Sequence, residues 1–401
     1  MIKRYIAAGL MMLLFATVAF SQGQFTNRTV ITTTVPFLLI SPDARSGALG
    51  DAGVALPADA NSMHWNPSKY AFVEDEGGVS TSITPWLRQL VNDVNFAYLS
   101  GYGRINKRST FAGSLKYFSL GTINFTDISG NSLGSFNPNE FSVDGAYATQ
   151  LSKKFSLGVT LRFIYSNLTG GLQQSGATGR AGTAVAGDVS AYYKNKTKLE
   201  GKVLEYSFGL NMSNIGNKIT YTTSANRQFI PTNLKLGGYA NYIVDDFNSV
   251  GFLLDFNKLM IPSNAIYEID DNGRVVLGPD GTPLIVSGKD PDVPVIQGMI
   301  QSFYDAPGGF REELQEINIS TGVEYWYNKI FAARTGFFYE NPNKGNRKYI
   351  TFGIGLRYKV FGVDAAYLAP IQQRNPLQNT LRFTLHFNLD AFKSQNQTET
   401  K

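Results

Sequence analysis

Residues 155–167 read FSLGVTLRFIYSN and residues 381–389 read LRFTLHFNL, and in both stretches apolar side chains occupy every second position. A period of two places alternate side chains on opposite faces of a β-strand. The pattern therefore predicts strands with one apolar and one polar face. It fits a soluble sandwich, whose apolar face points inward, and equally a membrane barrel, whose apolar face points toward lipid.

The number and spacing of such runs distinguish the two architectures. Bacterial single-chain barrels have an even number of antiparallel strands, with short turns at the periplasmic end and long loops at the other. Here short gaps such as 151–154 and 244–249 alternate with long ones such as 166–184 and 258–316. The sequence thus predicts an all-β fold, a transmembrane antiparallel β-barrel of about 14 strands in the outer membrane, with both termini periplasmic. The runs begin near Val79, Val94, Phe111, Phe141, Phe155, Val185, Leu204, Leu234, Val250, Ile317, Ile330, Tyr349, Val360 and Leu381.

The two ends of the chain lie outside this pattern. Lys3 and Arg4 precede an apolar run that ends at Ser21, which is the layout of a secretory signal peptide, so we expect residues 1–21 to be removed. The barrel is expected to span residues 79–392, followed by a polar C-terminal tail at 393–401.

Residues 22–78 do not show the strand pattern. A barrel of this size is too wide for wall side chains to fill, so its lumen holds water or a plug. We therefore predict that residues 22–78 form an N-terminal plug segment, with a periplasmic extension as the alternative.

Charged residues in the predicted strands keep to the polar face. A charge on the lipid face would cost about 2–4 kcal/mol near the bilayer centre. We expect Ile354 and Leu385 to face lipid. Charges inside a plugged barrel must be paired or hydrated. We therefore predict an ion-pair network that grips the plug, rather than a transport pathway, formed by Glu324, Arg334, Glu340, Arg357, Asp364 and Arg382.

The long connection at 258–316 has structure of its own. Asn272-Gly273 and Asp280-Gly281 lie between short apolar pieces, the signature of tight hairpins. Residues 295–303 and 310–315 are predicted to be helical. A loop of this length is usually functional, so we expect it to bind a protein partner on the extracellular side. The candidate contacts are Phe303, Tyr304, Asp305, Pro307 and Phe310.

Little in the sequence indicates catalysis. The chain has two histidines, His64 and His386, no cysteine and no G-x-S-x-G elbow. Zinc is therefore improbable, and 270–273 lacks the acidic spacing of a calcium loop. A formal net charge of +5 is too small to indicate nucleic-acid binding. The sequence predicts a protein that is not an enzyme, without cofactor or metal. An outer-membrane hydrolase that uses His386 stays open as an alternative, because triads are recognised by geometry.

Two groups of motifs resemble known families. Residues 44–55 and Trp65-Asn66-Pro67-Ser68 resemble the N-terminal region of the long-chain fatty acid transporter superfamily of fourteen-stranded barrels. The C-terminal half is similar to one branch of it, the PorV (LptO) family, the outer-membrane barrels of the type IX secretion system of Bacteroidetes. The motifs that carry this second likeness are residues 305–310, 324–328, 334–336, 339–340, 344–349 and 375–383.

The resemblance implies a role in protein secretion. Proteins of that family bind secreted cargo through its C-terminal secretion domain and shuttle it from the translocon barrel to the cell-surface attachment complex with its sortase. The expected partners are therefore the translocon barrel, the cargo, the sortase complex and outer-membrane lipid. The founding members of the superfamily imply an alternative, an outer-membrane channel for hydrophobic small molecules such as fatty acids.

Overall fold

A computed structural model of the chain describes residues 30–87, 91, 93–126, 129–170, 173–174, 177–222, 227–372 and 377–389. The predicted signal peptide (1–21) and the polar C-terminal tail (393–401) lie outside the described residues.

Fourteen antiparallel strands form a closed barrel. Each strand pairs with the next along the chain, and the last pairs with the first. The prediction of an all-β, fourteen-stranded barrel is confirmed, and every predicted strand start lies within three residues of the observed one. The strands are β1 (Gly77–Pro85), β2 (Val94–Arg104), β3 (Ser109–Leu120), β4 (Asn139–Gln150), β5 (Phe155–Asn167), β6 (Gly182–Leu199), β7 (Lys202–Gly216), β8 (Asn233–Ile243), β9 (Asn248–Leu259), β10 (Asn318–Tyr327), β11 (Phe331–Tyr339), β12 (Lys348–Tyr358), β13 (Phe361–Pro370) and β14 (Thr380–Asn388).

Burial alternates along the strands as the sequence pattern predicts. On β5, Leu161 is 68% exposed on the outer face, whereas its neighbour Arg162 is 2% exposed on the lumen face. Ile354 and Leu385 likewise lie exposed on the outer surface, and Arg382 is buried in the lumen. The apolar face of each strand therefore points outward, which is the polarity of a membrane barrel and the reverse of a soluble sandwich.

Residues 30–76 precede the first strand, and most of the side chains between Val35 and Val73 are buried against the lumen face of the wall. We call this segment the plug. It contains two single-turn helices, α1 (Ala44–Gly47) and α2 (Ser62–Trp65), and the 3-10 turns Pro36–Leu39 and Pro67–Phe72. Asp43 caps α1, since its carboxylate accepts a hydrogen bond from the Ser46 amide at 2.9 Å.

The connection between β9 and β10, which we call the long loop, also folds locally. The strands Ile266–Tyr267 and Ile285–Ser287 pair, and two helices follow, α3 (Val295–Gln301) and α4 (Phe310–Gln315). Gly273 and Gly281 have φ angles of 75° and 78°, as the predicted hairpin turns require. Two further small hairpins pair Ile123–Thr126 with Ser132–Phe136 and Gln173–Gln174 with Ala177–Thr178. In the described part of the chain, no helix is long and apolar enough to cross a membrane.

Candidate functional site in the plugged lumen and the long loop

The plug is attached to the wall through a buried arginine. Arg45 on α1 donates from Nε and Nη2 to the two carboxylate oxygens of Glu324 on β10, at 3.0 and 2.9 Å. Its Nη1 donates to Asp59, farther along the plug, at 3.2 Å. Both Arg45 and Glu324 are buried. A two-pronged arginine–carboxylate pair of this kind fixes geometry as well as charge, so it sets the position of α1 against the wall.

The same carboxylate begins a chain of charges that runs along the wall. Arg334 donates to Glu324 at 2.6 Å and to Asp364 at 2.8 Å. Asp364 also accepts from Arg357 at 2.7 Å and lies 2.6 Å from Nε2 of His386. Each buried charge therefore has a partner of opposite sign, which offsets the cost of removing it from water.

The six predicted lumen charges divide between three sites. Glu324, Arg334, Arg357 and Asp364 belong to this network. Arg382 instead pairs with Asp51 of the plug at 2.5 Å. Glu340 pairs with Arg347 at the loop end of the barrel, at 2.8 Å, and lies apart from the network.

The plug's own charges, Arg45, Asp51 and Asp59, were missed as site residues by sequence reasoning. The signal that points to them is their place in a segment already predicted to be luminal, where each charge needs a partner.

Polar wall side chains also bind the plug backbone. Asp255 accepts from the amides of Gly53 and Val54 at 2.7 and 3.0 Å. Thr351 accepts from the amide of Gly50 at 2.9 Å. Gly50 has a φ angle of 75°, which favours glycine. A Cβ on Gly336 of β11 would overlap the plug backbone at Gly50. The plug therefore approaches the wall closely, where glycine is required on both sides of the contact.

The motif Trp65-Asn66-Pro67-Ser68 lies at the contact between the plug and strands β5 to β8. Trp65 donates to Asp43 at 2.6 Å, which ties α2 to α1. Asn66 donates to the carbonyl of Ala191 at 2.9 Å. The Ser68 amide donates to the hydroxyl of Ser190 at 3.0 Å. The motif thus joins the two halves of the plug and seats them on the wall.

The long loop is attached to the barrel rim by buried ion pairs. Lys258, at the end of β9, lies 3.0 Å from Glu313 and 2.5 Å from Glu316. Lys344, in the connection after β11, lies 2.9 Å from Glu316 and 2.6 Å from Glu312. Helix α4 is therefore held against two connections of the barrel.

The predicted partner-binding residues of the long loop differ in accessibility. Phe303 and Tyr304 are about half exposed, and Phe310 is 77% exposed. Pro307 is partly buried, and its carbonyl accepts from the Ser287 hydroxyl at 2.8 Å. Three of these side chains are therefore available on the surface.

Asp305 has a different position from the other candidates. It is 1% exposed, and its carboxylate accepts from the amide of Ser263 at 3.2 Å. Burial, together with the nearby carboxylates of Glu313 and Glu316, raises its pKa from 3.8 to about 6. The placement of Asp305 on a contact surface is therefore corrected: it holds the loop together from inside, because its neighbours on the loop enclose it.

Further apolar side chains extend the exposed surface of the loop. Ile296 and Ile300 lie one turn apart on α3 and are 60% and 59% exposed. Met299 and Ser302 on the opposite face are buried. Leu314 on α4 is also exposed. The helices thus hold an apolar surface in contact with water, and we call Ile296, Ile300, Phe303, Phe310 and Leu314 the loop patch.

A cavity of about 420 Å³ lies at the loop end of the barrel, between the start of the plug and the wall. Its apolar lining includes Pro36, Leu39 and Trp86, and its charged lining includes Lys344 and Arg382. Its lining is therefore partly apolar and partly charged, which is the mixed character that an amphipathic molecule requires.

The arrangement around His386 does not form a catalytic triad. His386 contacts Asp364, and Ser80 stands opposite it on β1. The Ser80 hydroxyl is buried and makes no hydrogen bond within the described structure. Among the described residues, no group of three or more histidine, aspartate or glutamate side chains is placed to hold a metal ion.

Comparison with known proteins identifies a family. A family model described as type IX secretion system protein PorV matches residues 23–266, which is more than half of the chain. The match covers the N-terminal motifs and ends before the C-terminal ones, which begin at Asp305. No curated protein sequence matches the chain.

Several solved structures are similar to the chain at low identity. The Pseudomonas putida toluene transporter TodX has a TM-score of 0.47 and 10% identity, covering 90% of this chain and 99% of that one. A TodX deltaS2S3 mutant, a monoaromatic hydrocarbon channel, has a TM-score of 0.47 and 13% identity, covering 86% and 99%. A Pseudomonas aeruginosa FadL homologue has a TM-score of 0.40 and 11% identity, covering 90% and 99%. These similarities are too remote to assign a substrate or an activity. The family model does assign the family, and the chain belongs to the PorV family of type IX secretion system proteins.

Proposed function

We propose that the chain is a carrier for secreted proteins in the outer membrane. It binds type IX cargo through the cargo's C-terminal secretion domain and passes it from the translocon barrel to the surface attachment complex with its sortase. Family membership supports a part in type IX secretion and an outer-membrane location. Nothing in the geometry around His386 favours an enzyme.

The observation that carries this proposal is the loop patch. Exposed apolar side chains that lie together on a soluble part of a protein mark interaction sites. Helix α4, which carries Phe310 and Leu314, is held to the rim by buried ion pairs, so this part of the patch is ordered before a partner arrives. A preformed surface loses less freedom on binding, which suits a carrier that must bind and release many cargo proteins.

The orientation of the barrel is part of the same proposal. Outer-membrane barrels have short turns in the periplasm and long loops outside. We therefore place the long loop on the cell surface and both termini in the periplasm. In that orientation the loop patch meets cargo that has already crossed the membrane.

A triple substitution tests the loop patch. Ile296→Ser, Ile300→Ser and Phe303→Ser together remove apolar contact area from α3 but leave the ion pairs at the base of the loop unchanged. We expect the barrel to assemble normally, as judged by heat-modifiable migration in gels. Display of type IX cargo on the cell surface should fall strongly, as measured by labelling intact cells.

The matched control lies elsewhere on the same loop. Val275, Leu277 and Val286, on the hairpin, are 45%, 59% and 65% exposed, so replacing all three by Ser removes a comparable exposed apolar surface outside the patch. Cargo display should persist in this control. Full display in the triple variant would contradict the proposal. Equal loss in both variants would assign recognition to the whole loop rather than to the patch.

The cavity at the loop end favours a second candidate, a channel for hydrophobic small molecules. Its apolar lining would hold a hydrocarbon chain, whereas its cations Arg382 and Lys344 are already paired with carboxylates of the chain. Growth on a long-chain fatty acid distinguishes the two functions. Under the carrier proposal, replacing 264–309 by a short Gly/Ser linker abolishes cargo display and leaves such growth unchanged. A loss of uptake with display intact would favour the channel.

A further inference from the structure

The hairpin of β6 and β7 projects beyond the short-turn end of the barrel. β6 pairs with β5 only as far as Tyr193, whose partner is Phe155. Its pairing with β7 continues to Leu199, opposite Lys202. Residues 195–199 therefore extend past the neighbouring strand, by roughly 17 Å at about 3.4 Å per residue.

Aromatic side chains mark where this projection leaves the membrane. Tyr193 and Tyr206 lie with their ring centroids 6.4 Å apart on the outer face, next to Phe208. Aromatic residues of this kind form the girdle at the edge of the apolar band of a barrel. The hairpin beyond Tyr193 consequently lies in water.

One edge of the projecting strand has no neighbour. The amide of Lys194 donates to the carbonyl of Lys154 at 2.8 Å, and this is the last bond toward β5. Because hydrogen-bonding groups alternate sides along a strand, the amides and carbonyls of Lys196 and Lys198 point to the same open side. Within the described residues no strand pairs with them. The open edge therefore presents four backbone groups to solvent.

The same segment presents positive charge on one face. Lys194, Lys196 and Lys198 alternate along β6 on the face that continues the lumen side. Lys153 and Lys154, in the turn before β5, line a cavity of about 680 Å³ together with Lys194 and Lys196. In the described structure none of these five lysines forms an ion pair within 4.0 Å; Lys194 lies 4.6 Å from the ring centroid of Phe72. Three carboxylates, Glu74, Asp75 and Glu205, also lie around this cavity, and Glu205 on β7 is opposite Lys196, so the five lysines leave this face with an excess of positive charge.

The orientation of the lysines argues against lipid as their ligand. The outward face of the projecting segment carries Asn195, Thr197 and Leu199, whereas the lysines on β6 point toward the barrel axis. Phospholipid head groups surround a barrel, so they would meet this outward face, on which Lys202, opposite Leu199, is the one lysine of the hairpin. A ligand for the lysines has to approach from the short-turn end of the barrel, along the barrel axis toward the plug.

We propose that the open edge of β6 binds an extended, acidic segment of a protein partner as an added strand. Main-chain hydrogen bonds to residues 196 and 198 would supply affinity. Carboxylates at every second position of the segment would lie beside the lysines, since cross-strand neighbours share a face. This site is at the opposite end of the barrel from the long loop and does not depend on the carrier function proposed above.

A peptide-binding experiment tests the charge requirement. The full-length protein in detergent micelles is titrated into a fluorescent peptide that alternates Glu with Thr or Val, and anisotropy is recorded at low and at physiological salt. We expect saturable binding that weakens with salt. The variant Lys194→Glu, Lys196→Glu, Lys198→Glu should bind at least about tenfold more weakly. The control Lys329→Glu with Lys359→Glu, which changes two other turns of the same rim, should bind as the unmodified protein does.

A second pair of variants tests strand addition itself. Lys196→Pro removes an amide that faces the open edge, and a proline is tolerated at such a position. Lys196→Thr removes the same charge but keeps the amide. We expect Lys196→Pro to bind several-fold more weakly than Lys196→Thr, while both assemble as barrels.

Three outcomes would overturn the proposal. If the unmodified protein does not bind the peptide, the lysines only protect an exposed edge against aggregation. If Lys196→Pro and Lys196→Thr bind equally, charge alone attracts the peptide and no strand is added. If vesicles of anionic phospholipid, rather than the peptide, distinguish the triple variant from the unmodified protein, the ligand is lipid.

Discussion

The plug and the long loop both lack the strand pattern, and both are attached to the barrel by buried ion pairs. They differ in how much apolar side-chain surface they leave exposed. The plug is attached by Arg45 to Glu324, and the loop by Lys258 to Glu313 and Glu316. The plug buries nearly all of its side chains against the wall, however, whereas the loop leaves Phe310 exposed.

The difference follows from what surrounds each segment. The inner wall of the barrel carries both polar and apolar side chains. The plug therefore contacts it with charges and backbone amides and also with buried apolar side chains such as Phe37 and Leu49. The long loop is attached along one side, and its other side carries apolar residues that no described part of the chain covers. The plug makes its contacts within the chain. Exposed apolar surface such as that of the long loop is typical of sites that bind another molecule.

The largest loss of stability is expected for a substitution in the ion pair that attaches the plug to the wall. Glu324→Ala leaves Arg45 and Arg334 without a shared carboxylate in the lumen. Breaking a buried pair by removing one partner costs about 3–5 kcal/mol. We expect a marked fall in the denaturant midpoint of unfolding, followed by tryptophan fluorescence in detergent.

Two controls separate charge from shape in that experiment. Glu324→Gln keeps the volume and some hydrogen bonds, so its cost should lie between those of the native protein and Glu324→Ala. Glu205→Ala removes an exposed carboxylate and should change the midpoint little. A Glu324→Ala protein as stable as the Glu205→Ala protein would show that the pair does not hold the plug.

A smaller loss of stability is expected for a substitution where the plug backbone comes nearest to the wall. Gly336→Ala would bring a Cβ against the backbone of Leu49 and Gly50, and overpacking of this kind costs about 1–3 kcal/mol. The matched control is Gly145→Ala, because nothing lies within 4 Å of a Cβ at that position. Thermal unfolding should separate the two variants. Identical midpoints would mean that the plug moves away at no cost.

Removing most of the long loop should change barrel stability less than either plug variant. Loop-closure free energy varies by only about 0.6 kcal/mol for each doubling of length. Replacing 264–309 by a short linker also leaves Lys258, Glu313 and Glu316 in place. We expect a thermal midpoint close to that of the native protein. A large fall would show that the loop supports the barrel and would remove the contrast with the plug.

The last expected change depends on pH and concerns the inside of the loop. The pKa of Asp305 is raised from 3.8 to about 6, so the folded protein binds a proton more tightly than the unfolded chain. Its contribution to stability is therefore present at low pH and is lost as pH rises from about 4 through 6. Asp305→Asn should stabilise the protein above pH 6 and make no difference below pH 4. Thermal midpoints of both proteins across this pH range measure the difference, and a constant difference would contradict the assignment.

The sequence by itself determined the strands, their number and the face that each side chain occupies. These features are local, because a period of two is visible within one strand and a Gly-containing turn within a few residues. Leu161 and Arg162 show this, since their alternation alone places one outside and the other inside. The helices of the long loop were predictable for the same reason.

Only the tertiary structure decided which charges meet. Arg45 and Glu324 are 279 positions apart, and Arg382 and Asp51 are 331 apart. No local pattern relates such residues. The sequence predicted Glu340 and Arg382 in the same network as Glu324, and only the folded barrel shows that they pair elsewhere. Asp305 has the sequence surroundings of an exposed turn and is buried because Ser263 and Glu313 fold over it. Barrel closure and the seating of the plug bring distant polar groups together, and burial then makes pairing obligatory because an unpaired charge away from water is costly.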